Sequence, residues 1–294
     1  MTRAVVFAYH TIGVRCLEVL LDHGIQVSLV VTHRDNPREH IWFESVAQLA
    51  HTRQLPVIQP DDPNTPGVLE RIRALQPDFL FSFYYRHMLG PALLAAPARG
   101  AYNLHGSLLP RFRGRVPVNW AVIMGETETG ATLHAMTAKP DQGDIVAQER
   151  VPIGPEDTAF DVFQRVTEAG VQVLRQALGP LVAGTAPHVP QDLAAGSYYG
   201  GRRPEDGRID WRQPAQRIHN LVRGVAPPYP GAFTTLEGKV LRVLRTSLAP
   251  HPDAVAQAAG GDGRPLYLLG LELAGTLLSA DTFKQRFPEG VRPD

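Results

Sequence analysis

The stretch Asn103-Leu104-His105-Gly106-Ser107-Leu108-Leu109-Pro110, continuing Arg111-Phe112-Arg113-Gly114-Arg115, concentrates residue types that can do chemistry. On a strand, residues two apart share a face, so Asn103 and His105 point together while Tyr102 and Leu104 pack the other way. Gly106 lets the backbone turn sharply, and Pro110 and Gly114 shape a loop that carries the arginines. An amide beside an imidazole suits acyl transfer. The amide donates to an oxyanion, and the imidazole moves the proton off an attacking amine. Asp141, in the turn Pro140-Asp141-Gln142-Gly143, adds a carboxylate. Brought to His105, it would orient the ring and stabilise the imidazolium. By spacing alone, an Asn/His pair also suits a structural role, and a turn aspartate often serves only its local hydrogen bonds.

The elements that must position these groups are readable from apolar patterning. Ala4–Ala8 is a continuous apolar run, and Gly13–His23 carries Val14, Leu17, Leu20 and Leu21 at helical spacing before Gly24. Residues 25–32 are β-rich, Phe43–Thr52 reads as helix, Pro56–Ile58 as a short strand and Val68–Leu75 as helix. Phe79–Phe83 and Ala101–Leu104 are buried-type strands flanking a short helix at Pro91–Ala96. Strands without a polar face, separated by helices, imply an α/β fold with a mostly parallel sheet covered on both sides. Such sheets bind ligands outside the carboxyl ends of their strands, where Asn103 and His105 fall.

The second half changes character. Ala131–Thr137 and Ile145–Val151 read as an antiparallel pair, and Ala159–Leu178 as a long amphipathic helix stopped by Gly179-Pro180. Gly184 to Gly207 has few periodic apolar positions and reads as a linker. Beyond it, Pro214–Arg223 is helical, while Ala232–Leu248 and Leu266–Leu278 are strand-like runs flanking a loop at His251–Gly263. The division expected is a catalytic domain over residues 1–200 and a small β-rich domain over 205–294.

Composition narrows the partners. The 294 residues hold 29 Lys plus Arg against 29 Asp plus Glu, so an extended nucleic-acid footprint, which needs excess cations, is disfavoured. A hydrophobic fraction of 44% suffices for a core. Cys16 stands alone in a helical stretch and reads as a small buried residue, so no intrachain disulfide or cysteine-based zinc site forms. No metal-ligand spacing such as His-Glu-x-x-His appears among the 11 histidines, and no metal is expected. The first apolar run is too short for a signal-peptide core and no run reaches membrane-span length, so a cytoplasmic protein is expected.

Taken together, the Asn103-x-His105 strand end, the Ser107-Leu108-Leu109-Pro110 loop, Arg113-Gly114-Arg115 and Asp141 resemble the signature of formyltransferases that use 10-formyltetrahydrofolate. The resemblance is strongest to the branch that formylates UDP-4-amino-4-deoxy-L-arabinose in lipid A modification. It is carried by Phe7-Ala8-Tyr9-His10, by Thr32-His33-x-Asp35-Asn36-Pro37-x-Glu39 and by Phe81-Ser82-Phe83-Tyr84-Tyr85-Arg86-His87. Further carriers are Val116-Pro117-Val118-Asn119-Trp120, Gly125-Glu126-Thr127-Glu128-Thr129-Gly130 and Pro230-Gly231-Ala232-Phe233. It spans roughly residues 1–250 and weakens after that.

The resemblance implies a Rossmann-like formyltransferase fold with an OB-like C-terminal domain. It implies His105 as the catalytic histidine, Asn103 as the oxyanion stabiliser and Asp141 as the carboxylate that raises the histidine pKa. It sets the folate along His87, Met88 and Leu89, near Arg115, and against Thr137, Ala138, Lys139, Pro140 and Asp141. The implied acceptor is a nucleotide-linked amino sugar, with Arg202, Arg203 and Arg223 as candidate partners for its diphosphate. Bifunctional members of the branch carry a decarboxylating dehydrogenase that these residues lack, so another amino sugar stays open as acceptor. A homo-oligomer also stays open.

Methionyl-tRNA is the alternative acceptor. The segment His33–Glu39 speaks against it, because Arg34 and Arg38 are balanced there by Asp35 and Glu39 where the tRNA enzymes are expected to carry a basic insertion. A catalytically silent folate-binding module is disfavoured by the presence of all three catalytic matches. Hydrolysis of formyl-folate stays open. A dinucleotide oxidoreductase is disfavoured because Tyr9-His10-Thr11-Ile12-Gly13 lacks the Gly-x-Gly-x-x-Gly phosphate turn.

Overall fold

The computed structural model describes residues 1–37 and 39–287. The chain forms two compact units. The first comprises Met1–Gly114, Thr129–Val151 and Arg165–Tyr199, and the second Arg115–Glu128, Pro152–Gln164 and Gly200–Asp294.

The chain opens with β1 (Arg3–Ala8), α1 (His10–Asp22), β2 (Gln26–Val31), α2 (Val46–Thr52), β3 (Val57–Ile58) and α3 (Pro66–Ala74). Then come β4 (Phe79–Phe83), α4 (Pro91–Leu94), β5 (Ala101–His105), β6 (Arg113–Gly114) and α5 (Pro117–Met124). β7 (Glu128–Ala135), β8 (Ile145–Pro152), the long α6 (Ala159–Ala183) and β9 (Tyr198–Tyr199) complete the first two-thirds.

The seven-stranded sheet of the first unit has the order β3-β2-β1-β4-β5-β7-β8. β1 to β5 run parallel, and β7 returns antiparallel to β5. This is the mostly parallel α/β sheet that the apolar runs imply. Val5, Phe7, Leu29, Val31 and Leu80 form one face of the core with Ile72 of α3 and Leu93 of α4. On α6, a Cβ added to Gly170 would stand 2.9 Å from Leu104 Cδ2 and 3.2 Å from Ile12 Cδ1, so that glycine sets how closely the helix approaches β5 and α1.

Four local expectations are corrected. α2 starts at Val46 and not at Phe43, because Ser45 Oγ accepts from Gln48 N–H (3.3 Å) as an N-cap while Phe43 leaves to stack on His10 with ring centroids 4.0 Å apart. α6 runs through Gly179-Pro180 to Ala183. A proline so near the end forfeits one hydrogen bond, while Arg99 Nη2 donates to the late carbonyls of Leu181 (2.8 Å) and Val182 (2.7 Å), and Gly184 at φ +74° ends the helix. The expected linker is tied down: Val189 bridges Ile145, and β9 pairs in parallel with β6. The expected loop at His251–Gly263 contains a strand, Ala256–Ala259.

In the second unit, α7 (Ala215–Gly224) precedes β10 (Ala232–Leu236), β11 (Lys239–Ser247), β12 (Ala256–Ala259), β13 (Pro265–Leu273) and β14 (Thr276–Leu277), with α8 (Ala280–Arg286) last. The strands form an antiparallel sheet of order β10-β11-β13-β12, with β14 on β13. β12 is Ala-Gln-Ala-Ala, a weak strand former that escapes propensity reasoning and gains its order from the ladder with β13. Ile218 and Val222 of α7 pack with Leu241, Val243, Leu266, Leu268 and Leu271 as the core. Among the described residues, no helix is long and apolar enough to cross a membrane.

Candidate active site

The site begins where β5 leaves the sheet. In the antiparallel register with β7, Asn103 lies opposite His134, Leu104 opposite Leu133 and His105 opposite Thr132. Directly opposed residues share a face, so Asn103 and His134 meet: Asn103 Nδ2 is 3.2 Å from His134 Nε2. His134 Nδ1 is 2.8 Å from the carbonyl of Ala135, which fixes the ring.

Asp141 lies in the turn between β7 and β8, and it reaches this face. Its Oδ1 is 3.6 Å from His105 Nδ1 and 3.4 Å from His134 Nε2, while Oδ2 accepts from the N–H of Gly114 at 2.8 Å. One carboxylate thus serves two imidazoles, and its side chain is only 11% exposed. Burial alone would push the Asp141 carboxyl up, but the charge of His105, the hydrogen bond with His134 and the Gly114 N–H hold it well below the usual carboxylate range. An anion is therefore fixed beside two groups that can carry protons.

The loop after β5 is held by hydrogen bonds along its length. Ser107 Oγ donates to the carbonyl of Arg111 (2.6 Å), and Thr132 Oγ1 donates to the carbonyl of Ser107 (2.6 Å). Gln148 Nε2 donates to the carbonyl of Leu109 (2.8 Å), and Ser197 Oγ accepts from Phe112 N–H (2.8 Å). Phe112, at φ +56°, stacks on Tyr199 with centroids 5.2 Å apart. Its carbonyl meets His105 Nε2 at 2.8 Å, so both ring nitrogens of His105 face partners.

The loop expected to receive folate follows β4. His87 is exposed and Met88 stands out at 54% exposure, an apolar side chain of the kind a planar ring covers. Leu89 differs from the expectation. It is 3% exposed and packs in the core with Leu93, so it offers a ligand only its backbone. Asn64, which sequence reasoning missed, pins this loop by donating to the carbonyl of Met88 (3.0 Å) and accepting from Gly90 N–H (2.6 Å). Thr137, Ala138 and Lys139 are exposed, and Pro140 is half-buried beside them, next to the largely buried side chain of Asp141. Exposed backbone edges and an apolar side chain fit a pterin. Arg115, exposed, follows Gly114 directly and lies in the second unit against Gly201.

The candidate diphosphate arginines separate. Arg202 lies over the ring of Trp120 (4.7 Å) and donates to the carbonyl of Asp206 (2.7 Å), while Trp120 Nε1 donates to the carbonyl of Gly200 (3.0 Å). Arg203 is exposed. Arg223 is buried: its guanidinium donates to the carbonyls of Gly154 (3.3 Å), Asp157 (3.0 Å) and Val122 (3.5 Å) and to Asn220 Oδ1 (3.0 Å). With Nε, Nη1 and one hydrogen of Nη2 engaged inside the second unit and the side chain buried, Arg223 departs from its expected role in holding a diphosphate. In the segment His33–Glu39, Arg86 Nη1 contacts both carboxylate oxygens of Glu39 at 2.9 Å, and Arg38 lies outside the described residues.

Two further site residues escaped sequence reasoning. His134 carried a signal, a histidine on the buried face of a strand, but its partner depends on the β5–β7 register. Gln191 carried none, because it reaches the Asp141 turn from across 50 residues of sequence. Among the described residues, no group of three or more His, Cys, Asp or Glu side chains is placed to hold a metal ion.

An amide, two imidazoles and a buried carboxylate gather at the carboxyl end of a mostly parallel sheet, residue types suited to acyl transfer. Comparison with known families agrees. The pattern described as formyl transferase matches residues 3–178, and that described as formyl transferase, C-terminal domain, matches residues 202–281. The chain belongs to the formyl transferase family and is a formyl-transferring enzyme.

Solved structures share the fold. An N-formyltransferase from Helicobacter canadensis, in complex with folinic acid and dTDP-3-aminofucose, is 19% identical and covers 91% of this chain and 99% of its own, with a TM-score of 0.74. WlaRD, a sugar 3N-formyltransferase in the presence of dTDP and 5-N-formyl-THF, is 17% identical over 93% of this chain and 98% of its own, with a TM-score of 0.71. HypX from Aquifex aeolicus, in complex with tetrahydrofolic acid, is 18% identical over 99% of this chain but only 48% of its own, with a TM-score of 0.64.

Proposed function

We propose that this enzyme moves the formyl group of 10-formyltetrahydrofolate to the amine of a nucleotide-linked amino sugar, with UDP-4-amino-4-deoxy-L-arabinose the first candidate. The observation that carries the reading is the meeting of Asn103, His105, His134 and Asp141 at the end of β5. The similar structures add support, since two of them are sugar formyltransferases crystallised with folate derivatives and dTDP or a dTDP-sugar.

The folate supplies the formyl group. Met88 and the backbone of residues 87–89 and 137–141 would hold it. The sugar amine must arrive uncharged to attack. Asn103 donates an N–H to the formyl oxygen as negative charge grows there, and removing one such donor typically costs ~100–1,000-fold in rate. With its own proton on Nδ1 towards Asp141, His105 takes the amine proton through Nε2 once that nitrogen exchanges the carbonyl of Phe112 for the acceptor, and it passes the proton to N10 of the folate as the bond from N10 to the formyl carbon breaks. Asp141 keeps the resulting imidazolium stable and oriented. Arg202 and Arg203 are the cations proposed for the diphosphate.

The test is a panel of UDP- and dTDP-linked amino sugars, each incubated with 10-formyltetrahydrofolate and the enzyme and analysed by mass spectrometry. An N-formylated sugar nucleotide is the expected product. Formate released at the same rate without any acceptor would instead identify a hydrolase.

A further inference from the structure

Asp141 owes its position to more than its own turn. The residue has φ +54°, a region sparsely populated by residues other than glycine. Two residues on, a Cβ at Gly143 would collide with the carbonyl oxygen of Ala135. The turn is therefore folded tightly against the end of β7, and its backbone carbonyls need donors. Two of them find the same donor: Gln191 Nε2 donates to the carbonyl of Asp141 at 3.1 Å and to that of Gly143 at 2.6 Å. A primary amide carries two N–H groups on one nitrogen, so it can fork across both acceptors at once. Gln191 itself starts from anchored backbone, because Val189 exchanges N–H and carbonyl with Ile145 at 2.8 and 2.9 Å.

We propose that Gln191 is a positioning residue for formyl transfer: by clamping the backbone of the Asp141–Gly143 turn, it sets the Asp141 carboxylate against His105 and His134. This builds on the transfer chemistry proposed above for that cluster. The groups that face the carboxylate are His105 from β5, His134 from β7 and the N–H of Gly114 from β6. At imidazole distances of 3.6 and 3.4 Å the carboxylate has little room to drift before both contacts weaken.

The experiment compares wild type, Q191M and Q191E as full chains in three measurements: thermal melting, the pH titration of the 15N-labelled histidine resonances, and turnover with 10-formyltetrahydrofolate and acceptor. Glutamate fills the same space as glutamine but presents oxygens to two carbonyls. Methionine has a similar volume but no donor, so a residue that matters only for packing would tolerate Q191M. The expectation is that kcat falls ~10–100-fold in Q191M, the scale of a misplaced catalytic group, and further in Q191E. Melting should stay within about 3 °C of wild type for Q191M, as for loss of a part-exposed hydrogen bond. The titrations of His105 and His134 should depart from wild type in Q191M, which adds no charge, because both rings lose the carboxylate they share. An unmoved histidine titration in Q191M overturns the clamp, whatever the acceptor proves to be. Absence of turnover in the wild type with every amino sugar rejects the proposed reaction, and the histidine titrations still decide the role of Gln191.

Discussion

Each unit of the molecule buries a polar cluster built around a histidine, and the two clusters treat their charges differently. In the second unit, Arg223 is surrounded by carbonyls of Gly154, Asp157 and Val122, while His219 Nδ1 is 2.9 Å from Thr246 Oγ1 and Nε2 is 3.1 Å from the carbonyl of Pro155. Most of these partners are fixed backbone groups, so the cluster stores no alternative arrangement. In the first unit, Asp141 faces side chains that can gain or lose protons, and a single carboxylate oxygen is shared by two rings. A buried charge satisfied by carbonyls holds elements together. One satisfied by titratable side chains is equipped to move protons.

The sharpest way to break this contrast is to remove its chemical half. His105→Ala and Asp141→Ala should each reduce formyl transfer below detection while melting and circular dichroism stay near wild type, and near-normal turnover in either purified variant would sink the assignment. Arg223→Met should do the reverse. It strands several buried carbonyls, so unfolding free energy should fall by roughly 2–4 kcal/mol in urea titrations, while the acceptor KM of the folded fraction stays unchanged. Arg202→Ala and Arg203→Ala are expected to raise the acceptor KM roughly tenfold, the worth of one charge-assisted hydrogen bond, with kcat little altered. Unchanged values would reject their role at the diphosphate.

The smallest effect concerns acid stability in the first unit. Burial, with Arg86 nearby, pushes His10 down to about 3, and burial with His87 and Arg86 pushes His33 down to about 4. Both therefore bind protons more readily when unfolded, near the ordinary value of 6.5. The stability they contribute is complete above that value and is lost as pH falls toward about 4 and then about 3. Urea midpoints at pH 7 and pH 4.5 should show the loss, and His33→Phe should lessen it.

Much of this was legible in the amino-acid order, and the exceptions have a common physical origin. β4 matches its apolar run Phe79–Phe83 residue for residue, because a strand buried on both faces leaves a pattern no solvent-facing segment imitates. Asn103, His105 and Asp141 could be named as candidates, yet their meeting depends on the β5–β7 register and on a turn conformation. What stayed hidden was non-local. Gln191 and Ser197 sit in a Gly- and Pro-rich stretch with no periodicity, and their hydrogen bonds run to residues far away in sequence. Arg223 misled for a related reason: an arginine's charge is visible in the sequence, whereas the carbonyls that consume it are not.

On the proposed reading, the cluster at the end of β5 formylates a nucleotide-linked amino sugar. The most direct test is kcat/KM for UDP-4-amino-4-deoxy-L-arabinose and for methionyl-tRNA, measured side by side with 10-formyltetrahydrofolate at physiological salt. The sugar nucleotide should be formylated with an efficiency at least ~100-fold above the tRNA, which is about 3 kcal/mol of discrimination. Efficient formylation of methionyl-tRNA with no N-formyl sugar product would contradict it.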